Sequence, residues 1–344
     1  MINEIEDIEN SCDIDFDHLE EKKMELEEIR KIKMAGIQVR SRTRWIHEGE
    51  KISSYFCNLE NKNYVSKAMS CLELNDGTTL DNPKDIIGEA ANFYENLYCS
   101  REDQVKDCDL SSLLDRSTLP TLESEEVKDM EGLLKLEELA KALKKMPNGK
   151  SPGSDGFPAE FYKFFFKNVG PFLLRSLNYG LESGELSVTQ KQGVIVCIPK
   201  GDKPKRFLTN WRPISLLNVS YKLASSCIAE RIKAKLPSVI NLDQTGFMSG
   251  RYIGDNIRLI YDAILCTEKF QRPGMLLMID FKKAFDSISW SFIRKCLSFW
   301  GFGENLIKFV FTFYSDIKSC MSINGQLSSW FNIQRGCRQG DPLS

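Results

Sequence analysis

Two aspartates six residues apart carry the clearest chemical signal in this chain of 344 residues. In MLLMIDFKKAFDSISW, residues 275–290, Asp280 follows directly on five apolar residues and Asp286 comes six positions later. An apolar run of that length predicts a buried strand, and a carboxylate at its end is costly to desolvate unless a cation meets it. Magnesium is such a cation, because it bridges carboxylates to substrate phosphates in enzymes that handle nucleotides. One strand supplies one ligand of this kind, so partners must come from elsewhere. Asp286 stands just before the helical pattern Trp290, Ile293, Leu297 and is expected to cap that helix without a metal role.

Other chemistries have weaker support. Gly149-Lys150-Ser151 has the ending of a phosphate-binding P-loop, but position 144, where the motif needs glycine, is lysine and the context is helical. The two histidines, His18 and His47, fall in one N-terminal stretch, which argues against zinc sites and histidine-based triads. Eleven cysteines are scattered without a Cys-x-x-Cys pair and read as reduced, mostly buried thiols.

The net charge of −2 conceals segregation. Residues 1–30 hold twelve acidic and three basic side chains, residues 31–67 three acidic and eight basic, and residues 191–251 three acidic and eleven basic. Two basic tracts on a near-neutral chain suit a polyphosphate partner, although a solvated Lys/Arg surface has the same composition. In RSRTRWIHEGEKISSYF, residues 40–56, Arg40, Arg42 and Arg44 stand beside Trp45, Tyr55 and Phe56, a mixture fit for phosphate contact and base stacking or for an amphipathic helix edge. With 42% hydrophobic and 27% charged residues the chain is expected to be globular. Neither a secretory signal nor a membrane-length apolar run is visible, so an intracellular protein of nucleus and cytoplasm, without membrane contact, is expected.

The elements that must position these residues follow from periodicity. A long exposed helix is predicted from Phe16 to about Arg44, a hairpin at Asp76-Gly77, and an amphipathic helix through Ile86, Ala90, Phe93 and Leu97. Residues 101–121 read as a linker, and Leu136, Leu139, Ala140 and Leu143 mark a helix stopped by Pro147. Residues 193–217 read as two strands around a basic turn, with Lys200, Lys203, Lys205, Arg206 and Arg212 projecting from it. A helix is expected from about Val219 to Pro237, another from Asp255 to Lys269, and two more after the Asp280 strand. Asn324-Gly325 predicts a second hairpin. The whole is α+β with antiparallel hairpins, which argues against a doubly wound parallel sheet.

In that order, KSPGSDGFPAEFYK, CIPKGDKPKRFLTNWRPISLL, DQTGFMSGR, IDFKKAFDSISW and GCRQGDPLS resemble the reverse transcriptase of non-LTR, LINE-type retrotransposons. The segment from Arg40 is similar to the region that precedes the polymerase in those proteins. The resemblance implies a right-hand polymerase: a helical N-terminal region over residues 1–120, then fingers and the N-terminal part of the palm over 121–344, with its core at about 190–344. It implies RNA-directed DNA synthesis by two-metal nucleotidyl transfer, with Mg²⁺ or Mn²⁺, an RNA template, a DNA primer and deoxynucleoside triphosphates. Asp280 matches the catalytic, metal-bridging aspartate and the carbonyl of Phe281 a further ligand. Phe285 falls at the aromatic gate against a ribose 2′-OH, Lys200 and Arg212 at residues that grip the triphosphate, and Gln339 and Gly340 in the nucleotide-contacting loop. Arg40, Arg42, Arg44, Lys203, Lys205 and Arg206 are expected on nucleic acid.

The same resemblance places the family's Ala-Asp-Asp strand and thumb outside these residues and finds no endonuclease before them. The expectation is therefore a truncated, incomplete polymerase, with a catalytically inactive remnant that only binds nucleic acid as the alternative.

Overall fold

The structure, a computed structural model, describes residues 16–41, 68–74, 76–99 and 119–344. The chain divides into two compact units, residues 1–68 and 69–344. In the first unit the described element is the helix α1 (Phe16–Ser41), polar along its length as its sequence requires. Arg40 lies on α1 with its side chain outside the described residues, and Arg42 and Arg44 lie outside them altogether.

The second unit begins with a short hairpin, β1 (Leu72–Glu73) and β2 (Thr79–Leu80), turning at Gly77 as the Asp-Gly signal predicts. Helix α2 (Pro83–Tyr98) starts with proline in its first turn, and the Asn82 side chain accepts a hydrogen bond from the Lys84 amide at 3.0 Å. Its apolar residues recur at helical spacing, so Ile86, Ala90, Tyr94 and Tyr98 are buried together. After α3 (Ser124–Lys128), helices α4 (Leu136–Lys145) and α5 (Ala159–Ser183) pack against each other. A short turn, α6 (Val188–Lys191), leads into β3 (Gln192–Pro199).

Strand β3 pairs antiparallel with β4 (Trp211–Leu217), which bears out the expected hairpin. Its turn is braced from within: Trp211 Nε1 donates to the Lys205 carbonyl at 2.7 Å, and Lys200 Nζ to the Thr209 carbonyl at 2.8 Å. Helix α7 (Val219–Val239) carries Pro237 inside its last turn instead of stopping before it. The helices α8 (Ile253–Lys269), α9 (Ala284–Ser287), α10 (Trp290–Phe299) and α11 (Glu304–Thr312) follow. Strand β5 (Lys318–Ile323) then lies parallel to β3, with β6 (Gln326–Leu327) and β7 (Phe331–Asn332) antiparallel to it. The result is an α+β fold with a small mixed sheet ordered β4-β3-β5-β6, and its core joins α2, α4, α5, α7 and α11 to that sheet.

Two expectations are corrected. Residues 275–280 form no strand, and Met275 through Ile279 are all exposed, Met275 to 92%. A strand exists only by pairing, and none of the described strands pairs with this segment. On α8 the predicted apolar face exists, but Ile257, Tyr261 and Ile264 point to solvent.

Candidate nucleotide and nucleic-acid site

The loop of residues 335–341 ties five elements together. Arg335 Nε donates to the Leu97 carbonyl at the end of α2, at 2.8 Å. The amides of Gly336 and Cys337 donate to the carbonyls of Ile288 and Phe285 at 2.8 and 2.7 Å, so the loop runs alongside α9. Trp290 Nε1 returns a bond to the Gly336 carbonyl at 2.9 Å. The Ser215 amide of β4 donates to the Gln339 carbonyl at 2.7 Å, and buried Arg338 donates to the Lys191 carbonyl at 3.0 Å.

Glycine is required twice for this seating. Gly336 has φ of +76° and a Cβ there would meet the Asp286 carbonyl oxygen at 2.4 Å; at Gly340, φ is +110° and a Cβ would meet the Ser215 carbonyl oxygen at 2.8 Å. The seating brings Gln339 onto Asp286. Gln339 Nε2 donates to the two carboxylate oxygens at 3.2 and 3.4 Å, and the Tyr98 hydroxyl donates to Oδ1 at 3.2 Å.

Asp286 is therefore no helix cap. The residue at the cap position of α10 is Ser289, while Asp286 is buried at 5% exposure inside α9. Burial raises its pKa, offset in part by the bonds from Gln339 and Tyr98 and by the ammonium groups of Lys283 and Lys200. Burial likewise lowers the pKa of Lys283, opposed by the Asp286 charge and reinforced by Lys200 and Lys282. Lys200 on the basic turn thus acts electrostatically on the same pocket of structure as Gln339 and Asp286. Deeper in, the Tyr221 hydroxyl donates to Asp341, and the Arg338 guanidinium lies 4.7 Å over the Tyr221 ring.

Of the residues expected from sequence, Lys200, Phe285, Gln339 and Gly340 are gathered around this loop. Phe285 is half-exposed, its ring edge-on to Phe247 at 5.9 Å. Arg212 is exposed on β4, three residues from the Ser215 contact. Arg206 pairs with Glu73 at 3.0 Å and Lys203 is exposed on the same turn, which therefore carries cations at the surface. Lys205 shares that turn through its carbonyl bond to Trp211. Asp280 and Phe281 are both exposed on the unpaired segment.

The donor set does not fit a divalent metal at Asp280. Among the described residues no three His, Cys, Asp or Glu side chains are grouped to hold an ion. The nearest aspartate in sequence, Asp286, is engaged by Tyr98 and Gln339, and Asp341 by Tyr221 and the Leu343 amide at 3.0 Å. Sequence reasoning missed Tyr98, Tyr221, Arg338 and Asp341; the one local hint was Arg338 and Gln339 between two glycines with Asp341 directly after the second.

Residues 198–344 match the reverse transcriptase (RNA-dependent DNA polymerase) family. An uncharacterized 149 kDa protein of transposon TX1 from Xenopus laevis is 34% identical over 325 residues, which cover 94% of this chain and 24% of that protein. A retrovirus-related Pol polyprotein from a type-2 retrotransposable element of Drosophila melanogaster is 30% identical over 196 residues, 56% of this chain and 18% of that polyprotein. The chain belongs to the reverse transcriptases of non-LTR, LINE-type retrotransposons. A probable RNA-directed DNA polymerase from transposon BS of Drosophila melanogaster is also similar, 27% identical over 157 residues, 45% of this chain and 17% of that protein. This reverse-transcriptase module thus spans a quarter or less of the length of these three relatives. Its described residues contain no helix long and apolar enough to cross a membrane.

Proposed function

We propose that this module, as it stands, binds nucleic acid and nucleotide in the manner of a reverse transcriptase without catalysing polymerisation. The observation that carries this reading is that Asp280 lies exposed and that, among the described residues, no three His, Cys, Asp or Glu side chains are grouped to hold an ion. Two-metal nucleotidyl transfer needs ions about 4 Å apart, and a single exposed aspartate does not hold them. The binding half of the reading rests on the cations of the basic turn, Lys200 to Arg212, on a hairpin whose strand β4 bonds the Gln339 loop at Ser215.

In the wider reading, RNA-directed DNA synthesis, the β3–β4 hairpin corresponds to fingers and residues near Asp280 to palm, within a polymerase part at 121–344 that α2 packs against. Lys200 and Arg212 grip triphosphate, Phe285 excludes a 2′-OH, and Asp280 with the Phe281 carbonyl meets the metal once further carboxylates join them. RNA template and DNA primer are the partners, and Arg40, Arg42 and Arg44 add phosphate contacts.

Primer extension on an RNA template with Mg²⁺ or Mn²⁺, run beside filter binding of the same primer-template, separates the two readings. Binding without extension is the expected result. Template-dependent synthesis by the purified chain overturns the first reading in favour of the second.

A further inference from the structure

Helix α5 buries Tyr162, Leu177 and Leu181 on one face, which meets its packing requirement against the core. Its opposite face is aromatic and exposed: Phe164 at 81%, Phe172 at 70% and Tyr179 at 72%. Surfaces of soluble proteins seldom leave such rings in water without a partner. Two exposed cations sit between the rings, Lys167 after Phe164 and Arg175 after Phe172. From residue 161 to 181 the chain holds no carboxylate, although acidic residues outnumber basic ones overall, 48 to 46. The third cation of this stretch, Lys163, turns away to the Met146 carbonyl and Asn148, each at 2.6 Å.

We propose that this face of α5 is a binding track for a single nucleic-acid strand, with Phe164, Phe172 and Tyr179 stacking on bases and Lys167 and Arg175 meeting phosphates. The positive charge and the absence of carboxylates complement a polyanion. The rings select a single strand because a duplex keeps its base faces covered. At 1.5 Å rise per residue the rings are spaced by about 12 and about 10 Å along the helix, room for a splayed strand to set bases on successive rings. At 100° per residue, Phe164, Arg175, Tyr179 and Phe172 fall within about a quarter-turn of the helix surface. This track rests on the nucleic-acid-binding reading above but uses none of the residues of the Gln339 loop or the basic turn.

The test is fluorescence anisotropy of a labelled twenty-nucleotide single strand and of the matching duplex on the full chain. Four proteins are compared: wild type, Phe164→Ser/Phe172→Ser/Tyr179→Ser, Lys167→Glu/Arg175→Glu, and a basic-turn variant, Lys203→Glu/Lys205→Glu. The aromatic triple variant is expected to lose at least about tenfold in single-strand affinity while duplex affinity holds. Lys167→Glu/Arg175→Glu should lower the salt slope for the single strand by about 1.4. Circular dichroism and the urea midpoint check that these surface changes leave the fold intact; should the triple variant unfold, single Phe172→Ser replaces it. Unchanged single-strand affinity in a folded aromatic variant overturns the track, and overturns it in favour of self-association if that variant instead abolishes a concentration-dependent dimer in sedimentation. Loss in the basic-turn variant alone leaves the general reading standing without the track. A wild-type chain that binds neither probe removes both.

Discussion

The side-chain amide of Gln339 donates to the buried carboxylate of Asp286 at 3.2 Å, joining the loop after β7 to the short helix after Asp280. Because Tyr98 donates to the same carboxylate, three distant stretches of sequence share one hydrogen-bond acceptor. Asp286→Ala removes that acceptor and leaves the buried Tyr98 hydroxyl and the half-buried Gln339 amide without it, at a cost of about 2 kcal/mol. Urea unfolding measures this loss, and an unchanged midpoint would show that the network does not support the fold.

Asp286 also predicts a pH effect. Its pKa is raised from the ordinary 3.8, chiefly by burial. A carboxyl raised in the folded state adds stability that is fully present below its unfolded pKa and is lost as pH rises through the folded value. The wild type should therefore lose stability over that window relative to Asp286→Asn, which has no charge to bury. The measurement is the difference in urea midpoint between the two proteins from about pH 4 to about pH 8. A constant difference contradicts the prediction.

Gly340→Ala forces a Cβ against the Ser215 carbonyl in a left-handed backbone, and should destabilise by about 1–3 kcal/mol. Gly77, at φ of +86° with open space around it, isolates the backbone cost. Gly77→Ala should therefore lose less than Gly340→Ala in the same denaturation series. Equal losses would mean that the loop moves off β4 without penalty.

Arg231 is held by Glu138 at 2.7 Å through two nitrogens and by the carbonyls of Met130, Gly132 and Leu133. Arg231→Met strands the Glu138 carboxylate and should cost about 3 kcal/mol. Lysine lacks the planar fork and should not restore it. The double variant Arg231→Met/Glu138→Leu should regain part of the loss, and a thermodynamic cycle measures how much.

The elements built from local pattern were legible in sequence. Ile86, Ala90 and Leu97 gave α2, the two strands around a basic turn read over 193–217 gave β3 and β4, and Asn324-Gly325, both at positive φ, gave the second hairpin. The basic turn itself was legible because it is local, and Lys200 lies on it as expected, bonded to the Thr209 carbonyl. Asp286 was misread because its local setting suits a cap, whereas its partners stand 188 and 53 residues away. Arg338 and Asp341 hid in a polar stretch whose burial depends on Tyr221. The strand expected at 275–280 failed for another reason: apolar content specifies a wish to pair, and pairing is decided by what else is present.

The uncovered segment at Met275–Ile279 has a consequence for the chain in solution. Five adjacent apolar residues with no proline, open on both sides, are a ready template for intermolecular β-zippers. Its flanks hold gatekeepers, Arg272 and Pro273 before it and Asp280 with Lys282 and Lys283 after it. The Asp280 charge is then a brake on fibrillation, and neutralising it should shorten the lag of aggregation at high protein concentration.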